Sequence, residues 1–79
     1  MTEHILKIAP EYFEAVDSGA KTFEIRINDR DFKVDDIVIL QEYIANNREY
    51  TGQTLTRSIG YVTDFAQHNG YVVFSLLTT

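Results

Sequence analysis

The sequence predicts an α+β domain in which five strands and one short helix curl toward a small barrel. Three observations carry this. Runs rich in branched and aromatic residues recur at 4–8, 22–28, 37–43, 54–65 and 71–77. Apolar residues at helical spacing occur once, between Pro10 and Gly19. Turn-forming residues separate the runs, with Asn28-Asp29-Arg30-Asp31, Asp35-Asp36, Tyr50-Thr51-Gly52-Gln53 and His68-Asn69-Gly70 as punctuation.

The first strand, His4 to Ile8, is stopped by Pro10, which suits the first turn of a helix because its missing N–H is not needed there. Glu11 and Glu14 favour the N-terminal half of that helix through the dipole. Tyr12, Phe13 and Val16 form its apolar face, and Gly19 is a left-handed stop. At about two turns the helix depends on tertiary packing.

The second strand, about Thr22 to Asn28, alternates strictly. Phe23, Ile25 and Ile27 point one way and are expected in the core, whereas Thr22, Glu24, Arg26 and Asn28 point the other. Phe32 and Val34 are expected as apolar anchors after the turn. The run from Ile37 to Tyr43 is almost continuously apolar and reads as a strand covered on both sides. In the strand from about Thr54 to Phe65 the alternation slips beside Gly60, which predicts a bulge or bend. His68-Asn69-Gly70 is a hairpin signal before the last strand.

Seventy-nine residues form a single domain, 1–79, with no linker or repeat. There is no Cys, so neither disulfides nor thiolate-held zinc can brace it. His4 and His68 read as a terminal residue and a hairpin residue. Asp29, Asp31, Asp35 and Asp36 lack the Gly and terminal Glu of a calcium loop, and neither metal nor cofactor is expected. No signal-peptide pattern is visible in residues 1–8, and no apolar run approaches a membrane span. The expectation is a cytoplasmic protein with no membrane partner.

The formal net charge of −5 argues against a broad grip on duplex nucleic acid, which needs many cations on phosphates. A local basic site is still compatible. Lys7, Lys21, Arg26, Arg30 and Lys33 lie in the first 33 positions, but seven acids share them, so geometry must make any positive patch.

The candidate site is Lys7, Lys21, Glu24, Arg26, Asn28 and Arg30. Lys21 is a phosphate contact, a catalytic base, or a solvated Lys beside the helix end. Glu24 and Arg26 on one strand face form either a polar cleft, with Glu accepting from a base and Arg on a phosphate, or a wet ion-pair network. Asn28 to Asp31 is a turn that presents Arg30 or pairs it with an Asp. Of the aromatic residues, Tyr43 and Tyr50 flank a loop and are the expected exposed pair, while Tyr12, Phe13, Phe32 and Tyr61 read as core or barrel caps that have stacking as the alternative.

Leu6-Lys7, Pro10 to Val16, Ser18 to Arg26, Asn28 to Phe32, Gln41-Glu42-Tyr43 and Tyr50-Thr51-Gly52 together resemble the DUF3850 family, grouped with the ASCH domains of the PUA-like superfamily. The most specific part is Gly19-x-Lys21-x-x-Glu24-x-Arg26, which is similar to the ASCH signature. The resemblance covers nearly the whole chain. It implies a pseudo-barrel with a helix closing one mouth, a cleft at the helix-to-strand junction, and RNA binding. Where the family tends to have Gly-Asp, this chain has Asp35-Asp36, implying a left-handed Asp35.

A compact ASCH branch hydrolyses acylated cytidine with a Lys, a Thr three residues later and a late-strand Glu. Lys21 matches the first. Glu24 stands where the Thr belongs, and Phe74 and its neighbours supply no Glu. The leading expectation is therefore an RNA- or nucleotide-binding module rather than an enzyme. An amidohydrolase using Lys21 and Glu24 and a protein-interaction module stand as the alternatives.

Overall fold

The computed structural model describes all 79 residues. The elements are β1 (Glu3–Ile8), α1 (Pro10–Asp17), β2 (Phe23–Ile27), β3 (Ile37–Ile44), β4 (Glu49–Thr63) and β5 (Tyr71–Thr78). They form one five-stranded sheet in the order β1-β3-β4-β5-β2, curled into a half-barrel, with β1 and β2 as its two edges. β1 runs parallel to β3, and the other pairs are antiparallel.

Alternation builds the core. His4, Leu6 and Ile8 of β1, Val38 and Leu40 of β3, Ile59 of β4 and Val72, Phe74 and Leu76 of β5 all turn to the concave side and are buried. Phe32 fills the space against Phe74, with ring centroids 4.8 Å apart. Helix α1 contributes Phe13 and Val16 to the same cluster. Tyr12, expected on this buried face, is half exposed. On β3 one face is buried and the other half-covered, and Val34 is exposed rather than an anchor.

The helix ends as its residues dictate. Pro10 occupies its first turn, and Gly19 at φ 84° receives the chain after Ser18. The Lys21 N–H returns to Ala15 O at 2.9 Å, which fixes where Lys21 enters β2.

Strand β2 is inverted relative to the sequence expectation. Phe23, Ile25 and Ile27 lie on the convex face and are 42%, 50% and 54% exposed, whereas Glu24 is buried. The register gives the reason. Glu24 lies opposite Phe74 and Arg26 opposite Val72, both core residues, so the even positions of β2 must face inward. The odd positions lie opposite Ser75, Val73 and Tyr71 on the outside. An inward Glu is costly unless its charge is met, and the sequence supplies Lys21 and Arg26 to meet it.

Asp35 adopts φ 75°, as the resemblance implied. Asp36 behind it is buried and accepts from the His4 ring Nε2 at 2.8 Å and from the Thr2 and Lys33 N–H groups at 3.1 Å each. His4 is thus a buried partner whose ring centroid lies 4.7 Å from that of Phe32, tilted by 57°, not a loose terminal residue. Its signal was its place in phase with Leu6 and Ile8.

Two irregularities shape β4. Between Ile59 and Val62 the β4 register slips by one residue against β5, beside Gly60 as expected. Near the start, the segment expected as a turn at Tyr50 to Gln53 is instead a bulged continuation of the strand. Thr51, Gly52 and Gln53 lie opposite the single residue Glu42, with Gly52 at φ 92°. The β4–β5 connection spans residues 64–70 and closes with the Tyr71 N–H on His68 O at 2.9 Å and Gly70 at φ 87°.

Candidate functional site

The two edges of the sheet face each other across a seam that no backbone pairing closes. The Ile37 N–H donates to Thr2 O, so the even carbonyls of β1 face β3 and the odd ones face the seam. Arginines occupy those odd carbonyls. Arg26 Nη2 donates to Lys7 O at 2.8 Å, and Arg30 Nη1 donates to Ile5 O at 2.9 Å. On β2 the Thr22 carbonyl takes the Leu76 N–H, so the odd carbonyls of that strand also face the seam, and Lys21 Nζ holds Phe23 O at 2.6 Å. Cationic side chains replace the missing ladder.

Glu24 organises the seam. Its Oε1 accepts from Lys21 Nζ at 2.5 Å and its Oε2 from Arg26 Nε at 2.8 Å. Its side chain is 5% exposed, against 19% for Lys21 and 26% for Arg26. One buried carboxylate therefore aims two partly exposed cations, and the three together carry a net charge of +1. Lys21 has three N–H donors and commits two; Arg26 has five and commits two. The remaining donors are free for an anion.

These groups line a cleft of about 550 Å³ between the end of β1, the start of α1 and β2. Tyr12 and Phe23, both about half exposed, flank Lys21, whose Nζ stands 5.7 and 4.9 Å from their ring centroids. The cleft thus combines apolar ring surface with a cationic end, an arrangement suited to a flat, anionic small molecule or one unit of a nucleic-acid strand.

The six candidate residues separate into groups. Lys21, Glu24 and Arg26 converge in the cleft. Lys7 borders it and anchors Arg26 through its carbonyl, but its ammonium lies over the Tyr43 ring at 4.5 Å. Arg30 lines a second, smaller hollow of about 320 Å³ on the far side of Arg26, with Asp29 beside it. Asn28 spends its amide oxygen on the Phe32 N–H at 3.0 Å and shapes the turn. Glu24 has one cation on each carboxylate oxygen and so holds Lys21 and Arg26 in place.

Sequence reasoning missed Phe23 as a cleft wall and gave Tyr12 a stacking role only as the alternative to a core place. Tyr12 was absorbed into the helix's apolar face and Phe23 into the core. The signal available was Glu24: a carboxylate facing inward from an edge strand requires cations beside it and puts its odd-numbered neighbours outside. No three His, Asp or Glu side chains are grouped so as to hold a metal ion. No helix is long and apolar enough to cross a membrane.

Among curated proteins, none matches the chain. A family model described as a domain of unknown function, DUF3850, matches residues 3–76, a span that takes in every cleft residue named above. The chain belongs to the DUF3850 family.

Proposed function

We propose that this protein is a PUA-like, ASCH-type module that binds RNA or a nucleotide in the cleft between β1, α1 and β2. The observation that carries the reading is the convergence of Lys21 and Arg26 on buried Glu24, beside the exposed rings of Tyr12 and Phe23. A phosphate takes the uncommitted donors of the two cations. A base lies against the rings, where stacking is worth about 1–3 kcal/mol. Glu24 keeps the cations in place before ligand arrives, so little ordering is left to be done on binding. The resemblance of Gly19-x-Lys21-x-x-Glu24-x-Arg26 to the ASCH signature supports the same reading. We place this binding in the cytoplasm, since a cysteine-free fold draws nothing from an oxidising compartment.

Titration with nucleoside monophosphates and short single-stranded RNAs tests this. Saturable binding that weakens in Lys21→Ala and Arg26→Ala is expected. Absence of binding, or affinity unchanged in both variants, removes the site.

A second reading rests on the Lys21–Glu24 contact, which puts an amine and a carboxylate together in a cleft large enough for a nucleoside. Such a pair suits proton transfer during hydrolysis of an acylated nucleoside or small amide. Turnover of acylated cytidine that disappears in Lys21→Ala would establish it, and no turnover across such substrates would exclude it.

A further inference from the structure

Lys7 belongs to two places at once. Its carbonyl accepts from Arg26 in the cleft, and its ammonium lies 4.5 Å from the Tyr43 ring centroid and 5.9 Å from that of Tyr50. No carboxylate pairs with it, although the chain carries twelve acids against seven bases. Tyr43 and Tyr50 are direct cross-strand partners with centroids 4.9 Å apart at 61°, and Tyr50 is 52% exposed.

The two rings sit on a ribbon that outruns its neighbour. β1 ends at Ile8, opposite Glu42, so Tyr43 and Tyr50 lie on the part of β3 and β4 that extends past it. The bulge at Thr51 to Gln53 sets the direction of that extension. It is held by the buried Glu42 carboxylate, which accepts from Thr51 Oγ1 at 2.6 Å and Gln53 Nε2 at 3.2 Å. The platform is therefore braced from below. The tip of the ribbon carries Arg48, which also has no ion-pair partner.

We infer that Lys7, Tyr43 and Tyr50 form a second nucleotide subsite continuous with the cleft, so that the ligand is single-stranded RNA rather than a free nucleotide. This rests on the cleft reading above. Lys7 takes the phosphate linking the two units, because no carboxylate pairs with it and it borders both the cleft and the Tyr43–Tyr50 pair. Tyr50 offers its exposed face to the second base, and Tyr43 backs it edge-on. Stacking of this kind tolerates any base.

The test compares UMP with the tetranucleotide UUUU by isothermal titration on the wild type, Tyr50→Ala and Tyr50→Phe. On the wild type UUUU is expected to bind about tenfold or more tighter than UMP, as one stacked base contributes. Tyr50→Ala is expected to erase that gain and leave UMP affinity unchanged, and Tyr50→Phe, which keeps the ring, to restore it. UMP binding with no gain for UUUU, or a gain that survives Tyr50→Ala, overturns the second subsite and leaves the cleft standing. Equal weakening of UMP and UUUU in Tyr50→Ala identifies Tyr50 as structural and also overturns it. Failure of both ligands to bind the wild type brings down the cleft reading and the subsite together.

Discussion

Arg26 Nε donates to Glu24 Oε2 at 2.8 Å from the same inward face of an edge strand, two residues along. Two charged side chains thus occupy the positions that a β-sheet domain ordinarily gives to its core. They are tolerated because β2 lies at the end of the sheet, where its inner face looks onto the seam beside β1.

Removing the carboxylate leaves its cations facing each other. Glu24→Ala is expected to lower stability by about 2 kcal/mol, below the 3–5 kcal/mol typical of a fully buried broken pair because Lys21 and Arg26 retain contact with water. Urea denaturation measures it. A cost near zero would mean that the charges are solvated independently.

The inversion of β2 separates positions that look equivalent in sequence. Ile27→Thr on the convex face is expected to change stability by no more than about 0.5 kcal/mol. Phe74→Ala, on the concave face opposite Glu24, is expected to cost about 3–5 kcal/mol. Comparable costs at the two positions would place Ile27 in the core and reverse the register.

Asp36 makes stability depend on acid. The hydrogen bond from His4 holds its carboxyl below the ordinary value of 3.8, burial opposes this, and the Thr2 and Lys33 N–H groups add to the lowering. A carboxyl depressed in the folded state contributes its full stabilisation above the unfolded pKa and loses it as the pH falls through the folded value. Asp36→Asn is therefore expected to flatten the loss of melting temperature below about pH 4, and to cost about 2 kcal/mol near neutrality through weakened charge-assisted bonds. An acid profile identical to the wild type's would contradict the role given to Asp36.

The cation and ring halves of the cleft are separable. Arg26→Gln is expected to weaken a nucleoside monophosphate about tenfold while changing the free nucleoside little, since it removes a charge-assisted contact. Tyr12→Ala is expected to weaken both alike. Equal effects of Arg26→Gln on the two ligands would place the phosphate elsewhere.

Much of the fold was legible because local signals agreed with one another. Pro10 and Gly19 bracket the helix, the slip at Gly60 marks a bulge, and Asp35 carries the left-handed turn. The facing of β2 was not legible. Alternation states that Phe23 and Glu24 oppose each other, but which one faces inward depends on pairing with β5, about fifty residues away. His4 hid for a related reason, since its partner Asp36 is distant in sequence. Of the site, Lys21, Glu24 and Arg26 could be grouped from their spacing, whereas Asn28 joined them through its phase on the strand and Arg30 through the turn that follows. Their backbone partners, Ile5 and Phe32, set them apart.

The most direct test of the cleft is a ¹H–¹⁵N correlation titration of the wild-type protein with a short single-stranded RNA. Shift changes are predicted at the amides of Lys7 to Ala9, Tyr12 and Lys21 to Arg26, with the β4–β5 connection unmoved. Changes confined to that connection or to the convex residues of β5, or none at saturating RNA, would contradict the account.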